Sequence, residues 1–444
     1  PPDASRQAQR PGGFARASTY KLTKATETTM NMFKRLSSFS LIGLLVLHAG
    51  AAQEGDYTYN VDNGKAIITA FTATGTVANI PDTLGGYPVA AIGSSAFAGR
   101  LSLETVSIGN SVTDIGSYAF ESCTNLLTVT FGTGLKTVQS CAFFRCSRLN
   151  GITLPDSLEV LGDGVWWNGS GVFAECSSLA SVRFGNSLLR IGSYAFRGCA
   201  TLTEFVIPDS VTSVGDNALG GCSGLRSVGI GNGLTSIGSS TFANLVGLET
   251  VSIGDGVTEI GEAAFAGCTN LLNITFGTGL QKICKAAFKN CSRLAALTFP
   301  DSLTELADAS WIDGIFYNCD ALESVTFGAG LRKVGAAAFY SCSKLAEVSL
   351  PDTVTVVGDG AFEYCSALKT ADLGNGLLSL GSSAFGNCPA VTNITLPETL
   401  GIIGGSAFNG CSALQSLDIP DSVTNMNWSA VSGCAGLRSV VIGD

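Results

Sequence analysis

Thirteen of the fifteen cysteines of this 444-residue chain stand at one recurring position: Cys123, Cys146, Cys176, Cys199, Cys222, Cys268, Cys291, Cys319, Cys342, Cys365, Cys388, Cys411 and Cys434. Thiols in register could form disulfides, ligate a soft metal or supply nucleophiles. On stacked coils, equivalent residues carry parallel Cβ vectors about 4.8 Å apart, whereas a disulfide needs about 3.8 Å. Leu245 fills the same column, which marks the slot as apolar, and a free Cys packs as a small hydrophobe. The column therefore reads as buried thiols, with occasional disulfides or a metal as lesser alternatives. Cys141 and Cys284 lie outside it, six units apart, too far to pair within one molecule. The one histidine, His48, lies in a segment read below as a signal peptide. Without it the chain has no Ser-His-Asp triad, no Cys-His dyad and no His-ligated zinc.

Tryptophan is the next candidate. Two insertions fall at the same point of the repeat, 163–171 with Trp166, Trp167 and Asn168, and 307–314 with Trp311 and Asp313. Insertions in repeat proteins form loops on one face, often a binding face. An exposed indole beside Asn or Asp suits a protein hot spot or stacking on a sugar ring. Alternatively, the indoles fold back and plug the gap that each insertion opens. Trp428, in the last unit, reads as end packing. A column of outward Ser and Thr, running from Ser107 and Thr130 to Thr395, is broken by Arg183, Val206, Gly229 and Asp372. Thr there is most simply a β-branched strand residue with a wettable tip. Acids in turns, such as Asp209 and Asp255, read as turn stabilisers, because a calcium site needs six to eight oxygens. No acidic pair outside the repeat stands out for catalysis, and no cofactor motif is present.

These residues are held by a 23-residue unit that recurs fifteen times: Ala-Phe-x-x-Cys-x-x-Leu-x-x-Val-x-Ile-(Gly/Pro)-x-(Ser/Gly)-(Val/Leu)-x-x-(Ile/Val)-Gly. Its Phe position runs from Phe97 through Phe120 and Phe143 to Phe408 and Val431, with only the two insertions breaking the spacing. One such unit cannot bury its own apolar face, so a fixed period of this length predicts a solenoid. Each unit reads as a first strand (Leu103 to Ile108), a tight turn and a second strand (Val112 to Ile115). The Ala-Phe-x-x-Cys stretch reads as one helical or 3₁₀ turn with Phe and Cys inward. A larger duplication overlies the period: Cys123–Leu127 returns as Cys268–Leu272, and Trp166 returns as Trp311.

Residues 30–52 carry a basic start (Lys34, Arg35), a short apolar run (Leu41 to Leu47) and small residues ending at Ala51-Ala52, the pattern of a secretory signal peptide. The apolar run is too short to span a bilayer, so no membrane insertion is expected after cleavage. Residues 1–29 then read as upstream or non-native sequence. Residues 53–88 read as a capping module, with a hairpin around Asp62-Asn63-Gly64. The repeat occupies 89–444 and stops just after a first strand, which is read as a truncated end. Of the 25 basic and 35 acidic residues, 7 and 2 lie in 1–52, which leaves 18 and 33 and a net charge of −15. Such a surface does not suit a nucleic-acid backbone.

These repeats resemble the BspA-type leucine-rich repeat family over 89–444, and residues 54–88 resemble its usual lead-in. The resemblance implies a leucine-rich-repeat-like solenoid of about 15 coils, with short β-strands, short helical or 3₁₀ turns and an N-terminal β-hairpin cap. It also implies a secreted or cell-surface protein that is not an enzyme, needs no cofactor and acts in adhesion or protein–protein interaction. Protein ligands on matrix, host or neighbouring cells are the expected partners. Glycan binding through the Trp loops is the alternative, as is a spacer arm for a domain beyond residue 444.

Overall fold

The computed structural model describes residues 51–443. Residues 1–29, the signal segment up to Gly50 (with His48) and Asp444 lie outside the described residues. The chain winds into a β-solenoid of about 16 turns. Each turn gives a first strand of three or four residues and a second strand of two. Equivalent strands of successive turns pair in parallel and in register: Thr105 faces Thr128, and Asp114 faces Thr137. Within Thr105–Ile108, Val106 and Ile108 are buried while Thr105 and Ser107 point outward, the two-residue alternation of a half-buried strand.

The Ala-Phe-x-x-Cys corner forms a third hydrogen-bonded stack. In the coil of Phe339, Tyr340 N bonds Ala337 O (3.2 Å) and Cys342 N bonds Phe339 O (3.1 Å). The alternate amides reach the next coil: Ala337 N to Asp359 O (2.8 Å), Phe339 N to Ala361 O (2.8 Å) and Ser341 N to Glu363 O (2.9 Å). Ala337 and Ser341, at φ 54° and 62°, adopt the left-handed conformation. They flank Phe339 and stop any helix from propagating. The expected helical turns are therefore single 3₁₀-type bonds. The one 3₁₀ helix among the described residues is Trp311–Asp313, inside the second insertion.

The core is a column of stacked rings. Phe97, Phe120, Phe143, Phe173 and Phe196 follow one another at 4.7 to 5.3 Å. A second run extends from Phe242 to Phe408. Between them lies a seam. Leu219 takes the ring position, Leu245 takes the thiol position, and the second-strand sheet breaks between Ser213–Val214 and Ser236–Ile237. In the cap, Tyr57–Asp62 pairs antiparallel with Lys65–Phe71. Asn63 and Gly64 (φ 48° and 73°) form the turn. Lys65–Phe71 then pairs in parallel with Tyr87–Ile92. Phe71 stacks on Phe97 at 5.0 Å, so the cap supplies an extra rung at the head of the column.

Candidate functional site

All fifteen cysteines are free. Each of the thirteen column thiols donates to the carbonyl of the Phe one coil earlier, at 3.1 to 3.4 Å. The column is thus a weak hydrogen-bond ladder beside the ring stack. Burial pushes the thiols up, to about 12 at Cys176 and Cys365, because the thiolate cannot be solvated there. Cys141 is buried against Phe144 and Ala174. Cys284 is half-buried; burial, then the bonded Glu259 carboxylate (3.1 Å), raises it to about 11. A thiol reagent is therefore expected to label Cys284 and Cys434, the two partly exposed thiols, in the native chain, and all fifteen only after unfolding. Full labelling without denaturant would contradict a closed column. Among the described residues no cluster of three or more His, Cys, Asp or Glu could hold a metal ion.

The turn acids stitch coil to coil. Asp209 Oδ1 accepts the Asn232 amide (2.7 Å), Asn232 Oδ1 accepts that of Asp255 (2.8 Å), and Asp255 Oδ1 accepts that of Thr278 (2.7 Å). The Thr278 amide, then its hydroxyl, hold the Asp255 carboxyl below its ordinary value. A lowered folded value means that this stabilisation is present above the ordinary carboxylate range and is lost as pH falls through the lowered value. Asn232 makes the same bond without a titrating group. Asp255→Asn is therefore expected to melt like the parent at neutral pH and to lose less stability than the parent in acid. Equal losses in thermal melts would contradict this.

The indoles of the first insertion do not fold back, and that of the second lies close to Gly360 while staying largely open. Trp166, Trp167 and Trp311 are 77, 71 and 63% exposed. The gap at the first insertion is closed by backbone instead: Val165 N bonds Ser170 O (2.6 Å) and Gly164 N bonds Ser193 O (2.7 Å). Asn168 Oδ1 accepts the Ser170 amide (3.1 Å), and Ser170 is buried. With the backbone sealing the coil, the side chains are left outside, and the two indoles meet edge to face at 6.1 Å. In the second insertion, Lys289 pairs with Asp313 at 3.2 Å, and the Ser310 hydroxyl donates to the same carboxylate at 3.0 Å. These two partners, Lys289 first, keep the Asp313 carboxyl below its ordinary value. Trp428 is also exposed rather than packed. The structure therefore places Trp166, Trp167 and Asn168 together on one loop, and Trp311 and Asp313 together on another, six coils on.

Three depressions open elsewhere, on the outer face of the first-strand sheet. The largest, about 760 Å³, is lined by Thr153, Pro155, Arg183, Glu204, Val206 and Pro208. The other two are about 520 and 510 Å³. Each straddles a point where the first-strand ladder is interrupted, as between Ser181–Arg183 and Glu204–Ile207. The hydroxyl column held a signal for them, since Arg183, Val206 and Asp372, three of its breaks, line these depressions.

Parallel coils with a leucine (Val391 in one) just ahead of the repeat's first strand define a leucine-rich repeat solenoid. The chain belongs to the BspA-type leucine-rich repeat family. The family profile, described as a BspA type leucine rich repeat region in six copies, matches residues 90–200, 167–272, 189–313 and 311–438, most of the chain. The crystal structure of a leucine-rich repeat protein from Bacteroides ovatus is 27% identical, with 88% of this chain and 94% of that one covered and a TM-score of 0.62. A leucine rich cell surface protein from Faecalibacterium prausnitzii is 28% identical over the same shares, with a TM-score of 0.38. No curated protein matches.

Proposed function

We propose that this chain works outside the cell, secreted or at the cell surface, as a non-enzymatic binding protein in adhesion or protein–protein contact. The observation that carries the reading is the pair of pinned loops, which hold three exposed indoles at the same point of the coil. The repeat needs neither loop to stack, and large aromatics kept in water on a rigid frame are the usual anchors of an interface. Family membership supports the reading, since such repeats are often cell-surface and protein-interaction modules. The loops differ in chemistry. The first is flanked by Arg190 (bound to Asp163) and by Arg197, 3.4 Å from Glu175; the second is flanked by Lys289 and tyrosines. The test is surface plasmon resonance of the purified chain over arrayed matrix and cell-surface proteins. Saturable binding to at least one protein is expected. Flat responses across the array would contradict the proposal.

A further inference from the structure

Beside Trp311 runs a row of aromatics that the repeat does not require. Tyr317 and Tyr340 stack at 5.9 Å, and Tyr340 meets Tyr364 at 5.3 Å, nearly edge to face. A side chain at Gly360, two coils beyond Trp311, would come within 3.4 Å of the indole nitrogen and 3.2 Å of the Glu363 carboxylate. Indole and acid thus flank one point on the surface. Asn387 donates to Glu363 at 3.4 Å. The patch is open: Ile312 and Tyr364 are exposed like Trp311, and Tyr317 and Tyr340 are partly so.

The duplicated half is an internal control. The positions of Tyr317, Tyr340, Glu363 and Tyr364 are held there by Ala174, Arg197, Gly220 and Gly221, at the same places on the same coil. Coil stacking therefore does not demand the row. Its cations are paired: Lys289 is taken up by Asp313 and Lys285 by Glu262. Among the described residues, neither of these two lysines is left free to meet an acidic ligand. What remains is open rings for stacking, phenol hydroxyls one coil apart, a carboxyl and a carboxamide. We propose that Trp311, Tyr317, Tyr340, Tyr364 and Glu363 form a platform for an extended neutral polysaccharide. Its sugar rings would stack on Trp311 and Tyr364 and hydrogen-bond to Glu363, Asn387 and the tyrosine hydroxyls.

The test is affinity electrophoresis of the full chain through native gels containing hydroxyethyl cellulose, laminarin or mannan. At least one polysaccharide is expected to retard the parent. Trp311→Ala and Tyr364→Ala, both at exposed positions, are expected to weaken retardation about tenfold or more, and Glu363→Gln to weaken it less. Trp166→Ala is expected to leave it unchanged. Parent mobility unaffected by all three polymers would overturn the platform, as would retardation that survives Trp311→Ala or is lost in Trp166→Ala. The gels contain no protein ligand, so this inference and the protein-binding proposal can each fail alone.

Discussion

Replacing Phe339 by Ala is expected to cost about 3–5 kcal/mol of stability. The ring is fully buried. It stacks on Phe316 at 5.0 Å and on Phe362 at 5.3 Å, and meets Phe327 edge-on at 5.9 Å. In a solenoid, stability is roughly the sum of each coil's own term and its two neighbour interfaces. Truncating one ring therefore leaves a cavity that both interfaces share. Among the described residues Phe408 has a single ring neighbour, Phe385, at 6.2 Å, so Phe408→Ala is expected to cost distinctly less. Urea unfolding of the two variants checks the contrast. Equal losses at both positions would contradict a nearest-neighbour stack held by its ring column.

Replacing Trp166, Trp167 and Trp311 together by Ala is expected to leave the melting temperature near the parent value and to weaken protein binding about 100-fold or more. Substitutions at exposed positions usually change stability by no more than about 0.5 kcal/mol, and the coil beneath the first loop is closed by backbone rather than by indoles. Buried at an interface, a single Trp anchor contributes about 2 kcal/mol or more. Calorimetry and binding on the same preparation separate the two effects. A large drop in melting temperature would mean that the indoles pack in the fold after all, and unchanged binding would remove the loops from the interface.

The fold was legible because the period is rigid. A Phe, a Cys and a Leu recur in nearly every unit and mark the inner face, and the structure buries nearly all of them. The cap hairpin announced itself through Asn63-Gly64, a pair suited to left-handed turn geometry. Phe71 was not recognisable as a rung, because no Cys or Leu follows it at the repeat spacing. Trp166, Trp167 and Trp311 were legible as candidates, but their exposure was not. Whether an indole folds back depends on what closes the gap, and at the first insertion that is a backbone bridge between Val165 and Ser170. The row of Tyr317, Tyr340 and Tyr364 escaped notice for a related reason. The positions just after the Phe vary freely along the chain, and only stacking shows that these three meet. The depressions on the first-strand face arise from breaks in strand pairing, which no residue type encodes directly.

The insertion loops, rather than the first-strand face, are expected to carry protein recognition. Hydrogen–deuterium exchange of the chain with and without a bound protein ligand tests it most directly. Protection on binding is expected over 163–171 and 307–314, with the first-strand face unchanged. Protection confined to the depression around Arg183 and Val206, with both loops exchanging as in the free chain, would contradict it.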